Sequence, residues 1–190
     1  MLGPALFVLT ALGCSANKMA STDNRSSSLS QTTIVSVLYS DKVLHESARF
    51  SWLPAAVKFY EDPRLKNSPI QLYFQEAIQQ NLNKRGYRFV PSVVDSDFLV
   101  AYVLALENSL NDEEINEKYQ LNPGLPRQKL NPNRYEKGTL IIDLIESGTK
   151  RSIWRGGMQG FAKFDIGEEE RKKRINLFVD RLFQSYFSEK

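Results

Sequence analysis

The sequence predicts an α+β fold: a mainly antiparallel sheet of about five strands with two helices packed on one face. Three observations lead there. Two segments, 70–82 and 175–186, carry apolar residues at helical spacing. About five segments are rich in β-branched and aromatic residues. Most of those strands are short or linked as hairpins, in the order β-β-α-β-β-β-α.

The first strand is TTIVSVLY, 32–39. A second extended stretch, SARFSWLP at 47–54, alternates Phe50 and Trp52 with Arg49 and Ser51 and stops at Pro54. The first helix follows. Ser68 suits its N-cap and Pro69 its first position, where a missing N–H costs nothing. Ile70, Phe74, Ala77, Ile78 and Leu82 share one face, and Gly86 closes it behind Lys84 and Arg85. DFLVAYVLAL, 97–106, is apolar on both faces and belongs at the centre of the sheet.

Residues 108–138 are polar, hold Pro123, Pro126 and Pro132, and read as a long loop with room for a short helix over 112–119. TLIIDLIE and RSIWRGGMQGFA, joined by SGTK, make a β-hairpin, and Gly156, Gly157 and Gly160 mark a bulge or a close backbone approach. The last helix covers about 167–187. Glu168, Glu169 and Glu170 suit its N-terminal end and stand four residues before Lys172, Lys173 and Arg174. Ile175, Phe178, Val179, Leu182, Phe183 and Tyr186 form its apolar stripe.

Cys14 is the only cysteine, and MLGPALFVLTALG precedes it. A short apolar run ending in a small residue has the form of a secretory signal peptide. With Cys14 directly after Gly13, it resembles the lipobox of bacterial lipoproteins, which are cut before the cysteine and acylated on it. The expected organisation is a signal peptide at 1–13, a tether at 14–31 rich in Ser, Thr and Asn, and one domain at 32–190. The alternative is a buried N-terminal element with Cys14 in a core. The run is far shorter than the ~20 apolar residues a membrane span needs. By resemblance to lipoprotein sorting, Ser15 after a lipidated Cys14 is compatible with transport to the outer membrane, with the domain in the periplasm, whereas Asp there would argue for inner-membrane retention.

The net charge of +3 comes from interspersed acids and bases, so no stripe suggests nucleic acid. His45 is the only histidine, and with no free cysteine the chain lacks the His and Cys of an ordinary zinc site. It reads as a loop residue. No GxSxG or SxxK motif places a serine as a nucleophile, no phosphate-binding glycine loop is present, and GGMQG lacks the lysine and the following helix that a phosphate loop needs. No cofactor or metal is expected. Asp95 and Asp97 read as turn caps, and Asp143 as a solvent-facing or ion-paired strand residue. Trp154 and Arg155 are the candidate partner-binding residues, because Trp and Arg are favoured at hot spots. The alternative places Trp154 in the core and Arg155 outside.

Three stretches carry a likeness beyond these elements. They are NLNKRGYRF with DSDFLVAYVL, YEKGTLIIDLIESGTKRSIWRGG, and the closing amphipathic helix. Across about 34–187 the chain resembles a bacterial envelope family, the domain of unknown function 4136. That resemblance implies the α+β fold and an envelope location, and it brings no catalytic residues. The leading expectation is a non-enzymatic, membrane-anchored lipoprotein that scaffolds or assists an envelope protein partner. The alternative is a module that binds a small ligand or lipid in a groove between sheet and helices.

Overall fold

The structure, a computed structural model, describes residues 31–41, 44–66 and 68–187. Cys14, the expected signal peptide and all of the expected tether except Gln31 lie outside them. The described residues form seven strands and three helices. In order these are β1 (Thr32–Leu38), β2 (Arg49–Trp52), β3 (Lys58–Phe59), α1 (Ile70–Lys84), β4 (Arg88–Phe89), β5 (Phe98–Leu106), α2 (Asp112–Tyr119), β6 (Tyr135–Glu146), β7 (Ser152–Lys163) and α3 (Glu168–Phe187).

The strands make one mixed sheet, ordered β1-β7-β6-β5-β2-β4, with β3 also pairing with β5. The long strands are antiparallel: β1 with β7, β7 with β6, and β6 with β5. On its other side β5 has parallel neighbours, β2 along its first half and β3 along its second. The expectation of about five mainly antiparallel strands is corrected here. The extra strands, β3 and β4, have two residues each and exist only through their pairing. The parallel pairing arises because α1 lies between β2 and β5 and carries the chain back, so β5 enters in the same direction. As its composition predicts, β5 is central, and nearly all of it is buried.

Helices α1 and α3 pack on one face, over a core that includes Phe50, Phe98, Tyr102, Ile142 and Trp154. The third helix, α2, covers the opposite face, where Leu110, Ile115 and Leu121 meet Val103 and Ile141. Residues 108–138 are therefore not one polar loop. Their last four, 135–138, belong to β6, and Leu110, Ile115, Leu121 and Leu125 are buried. Those four residues follow no single period, so they escape a pattern search while each fills its own place on the sheet.

A buried polar network fastens this strap. Lys137 Nζ lies 2.8 Å from Asp112 Oδ2 and 3.1 Å from Glu107 Oε1. Gln159 donates to Asp112 Oδ1 at 2.6 Å and accepts from the Leu125 N–H at 2.9 Å. Burial pushes the Asp112 carboxyl up, but hydrogen bonds from Lys137 and Gln159 outweigh it and hold the group below its ordinary value. A capping box starts α2: the Asn111 side chain accepts from the Glu114 N–H, and Glu114 accepts from the Asn111 N–H.

Two local readings also shift. Helix α1 begins at Ile70 with Pro69, not Ser68, at the cap position and no side-chain cap bond. Gly86, at φ +90°, ends it as expected. In α3, Glu168 reaches Lys172 at 2.8 Å, whereas Arg174 donates to the Phe161 carbonyl at 3.1 Å instead of pairing with Glu170.

Candidate functional site

Between the sheet and the two packed helices lies an apolar cleft of about 240 Å³. Its floor is made by Leu104, Leu106, Gly138, Gly160 and Ala162. The cleft exists because the floor is low. Gly138 and Gly160 stand opposite each other across β6 and β7, next to Ala162, so three neighbouring positions put almost no side chain into the gap. A Cβ on Gly138 would meet nothing closer than 3.6 Å, whereas one on Gly160 would come within 2.7 Å of the Phe178 ring. A Cβ on Gly138 would thus sit at ordinary van der Waals distance from its neighbours, whereas Phe178 closes over Gly160.

One wall is Ile70 and Phe74 of α1, and another is Ile175, Leu177 and Phe178 of α3. Phe59, Tyr60 and Leu65 complete it on the β3 side. Leu177 is 52% exposed and Arg181 is exposed, so this part of α3 marks where the cleft meets solvent.

The charged residues lining the cleft are Lys163, Arg171, Arg174 and Arg181, and none of the described lining residues is acidic. Arg171, Arg174 and Arg181 recur on α3 with Phe178 among them at spacings of three and four, which places them along one stripe. Arg171 donates to the Phe164 and Ile166 carbonyls at 3.2 and 3.0 Å, as Arg174 does to Phe161, which ties the β7–α3 connection to the helix. Each guanidinium has five N–H donors, so both keep donors free for a ligand. Lys163 sits 4.0 Å from Asp165. Among the described residues the Arg181 side chain has no hydrogen bond and no ion pair.

The residues singled out from the sequence fall elsewhere. Trp154 is fully buried among Phe183 and Tyr186 on the helix face. Arg155, next along β7, points to the opposite face, because successive strand residues alternate. There Arg155 Nε reaches Asp143 at 2.9 Å, and another of its nitrogens donates to the Tyr119 carbonyl at 3.2 Å, joining β6 to the end of α2. The two candidates therefore do not share a surface, and Asp143 is ion-paired. Asp97 accepts the Arg49 N–H at 2.7 Å and binds its guanidinium, clasping β2 to β5, and His45 is exposed.

Sequence reasoning missed the cleft-lining residues. The arginine stripe and the Gly138, Gly160 and Ala162 set were visible, but only strand register brings those three small residues together.

Sheet, helix pair and cleft define a small α+β domain with an apolar, basic-rimmed cavity on its helix face. The chain belongs to the family described as domain of unknown function (DUF4136), whose model matches residues 39–186. The fold is similar to that of the PelC dodecamer from Paraburkholderia phytofirmans, at TM-score 0.50 and 7% identity, covering 80% of this chain and 95% of that one. A DUF4136 family protein from Bacteroides thetaiotaomicron aligns at TM-score 0.41 and 10% identity, over 83% of this chain and 95% of that one. Lipoprotein GNA1162 from Neisseria meningitidis aligns at 0.39 and 10%, over 72% and 99%. No curated protein matches. No described helix is long and apolar enough to cross a membrane.

Proposed function

We propose that this chain is a lipid-anchored protein of the bacterial cell envelope whose folded domain binds a ligand and catalyses no reaction. The anchor reading rests on the apolar run ending at Gly13 and Cys14, with Ser15 directing the protein to the outer membrane and the domain to the periplasm. The binding reading rests on one observation, the apolar cleft above Gly138. A dry cavity of ~150 Å³ already takes up benzene, and this one is larger, at about 240 Å³.

Two experiments test these points. The wild-type domain is expected to bind one equivalent of the uncharged fluorescent probe N-phenylnaphthylamine. Gly138→Leu puts a side chain into the cleft and should abolish that binding while unfolding stays cooperative. A folded wild type that ignores the probe overturns the ligand reading. Cys14→Ser should move the protein from the membrane to the soluble fraction or leave it unprocessed, because stable anchoring depends on the acyl chains. Normal processing and membrane association of that variant overturn the anchor.

A second reading, a scaffold built from copies of this chain, is favoured by the edge of β1, which pairs with no described strand other than β7. Ile34, Leu38 and Tyr39 there are each about 40% exposed, and no charged residue guards the strand. The similar PelC is named as a dodecamer, which agrees with assembly here.

A further inference from the structure

Resting on the cleft reading above, we propose that the occupant is an anionic amphiphile of fatty-acid type. Its single acyl chain would lie over Gly138, and its carboxylate would meet Arg181 at the mouth. The size of the cleft argues for one chain. At about 240 Å³ it exceeds a benzene cavity but falls short of the ~300–1,000 Å³ that encloses drug-sized ligands. One narrow apolar body fits it, and the paired chains of a phospholipid do not.

The sign of the head group follows from the rim. All four charged lining residues are basic. Arg171 and Arg174 hold backbone carbonyls, whereas Arg181 has no partner among the described residues. Arg181 stands two helical turns, about 10 Å, beyond Arg174 on the same stripe, next to the exposed Leu177. A guanidinium with no partner among the described residues, at the entrance of an apolar cleft, suits a ligand whose charge stays at the surface while its chain goes in.

The position of the anchor adds to this. Thr32 lines the cleft. Residues 15–31 span at most about 60 Å even fully stretched, so a lipid on Cys14 holds the cleft near the membrane surface, where such amphiphiles partition.

The test is a calorimetric titration of the full chain carrying Cys14→Ser, which leaves no acyl group of its own to compete. The probes are decanoate, decyltrimethylammonium and decanol. Decanoate is expected to bind one-to-one and at least tenfold more tightly than the cation of equal chain length. Octanoate should bind more weakly than decanoate, by about fourfold per methylene lost. Arg181→Gln should weaken decanoate about tenfold and leave decanol unchanged. Gly138→Leu should abolish binding of all three. The exposed Arg181 side chain makes no hydrogen bond or ion pair with the described residues, so its variant keeps the test intact should Gly138→Leu fail to fold.

Equal affinity for the cation, or decanoate binding unmoved by Arg181→Gln, overturns the anionic ligand while the cleft reading stands. Failure of all three probes to bind the folded wild-type cleft overturns both.

Discussion

Two neighbouring glycines on β7 each receive a side chain from a different face of the sheet. A Cβ on Gly156 would overlap the Trp154 ring and come within 2.9 Å of Leu182 Cδ1, while one on Gly157 would come within 2.9 Å of Leu121 Cδ1 from the α2 side. The glycines let both layers approach the strand. Gly156→Ala is therefore expected to destabilise by ~1–3 kcal/mol through overpacking. Trp154→Phe shortens the ring that it strikes, so the double variant should cost less than the sum of the singles, by at least ~0.5 kcal/mol. Urea unfolding of the four proteins checks this, and strict additivity would show that the ring is not what Gly156 accommodates.

A second residue-scale feature is the Asp62 carboxylate, which is buried and held by Arg64. It accepts from the Arg64 Nε at 2.8 Å, Nη2 at 2.7 Å and backbone N–H at 2.8 Å. Those bonds, led by the one from the guanidinium, bring its pKa down from 3.8 to about 2. A carboxylate depressed in the folded state stabilises the fold above its unfolded pKa. That stability drains as pH falls from about 5 towards 2, and it amounts to about 2 kcal/mol. Asp62→Asn should be less stable than wild type at pH 7, and the gap should close as pH drops through that window. A gap that stays constant with pH would show that the side chain contributes only shape.

The strap from Leu110 to Leu125 is the element whose behaviour differs most from its composition. Ile115 is fully buried against the sheet although α2 has only eight residues. Such a helix is far too short to persist in isolation, so its order comes from docking. Ile115→Ala should cost ~2–5 kcal/mol. An unchanged melting curve would mean that the strap detaches freely. Protease sensitivity within 108–138 should follow the same division. Lys118 lies on the docked helix, whereas Arg127 has a side chain 77% exposed and follows the last buried leucine, Leu125. Limited trypsinolysis should cut after Arg127 or Lys129 well before Lys118. Early cleavage at Lys118 would contradict docking of α2.

At the scale of the molecule, the sheet ends differently on its two sides. One edge is the two-residue β4, and the other is β1, seven residues long and without charge. If copies assemble through β1, Ile34→Lys should shift the sedimentation coefficient to that of a monomer, since charge on an edge strand opposes pairing. A wild-type chain that sediments as a monomer would remove the scaffold reading and leave the ligand cleft unaffected.

The elements legible in the sequence are those whose signal is local and repeated. The apolar run of β5, the stripe of α3, the turn between β6 and β7 and the glycine stop of α1 are each written within one segment, because a helix face or a buried strand must repeat its own period. The family model, matching residues 39–186, spans nearly all of these elements. Pairing and placement lie outside that range. Phe59 becomes part of a strand only because Leu104 stands beside it, and α2 is a helix against the second face because Val103 and Ile141 leave room for Ile115. The cleft is of this second kind. Gly138 and Gly160 are far apart in the chain and meet by register alone. An empty space belongs to no residue, so only the packed tertiary structure decides where it lies and which charges surround it.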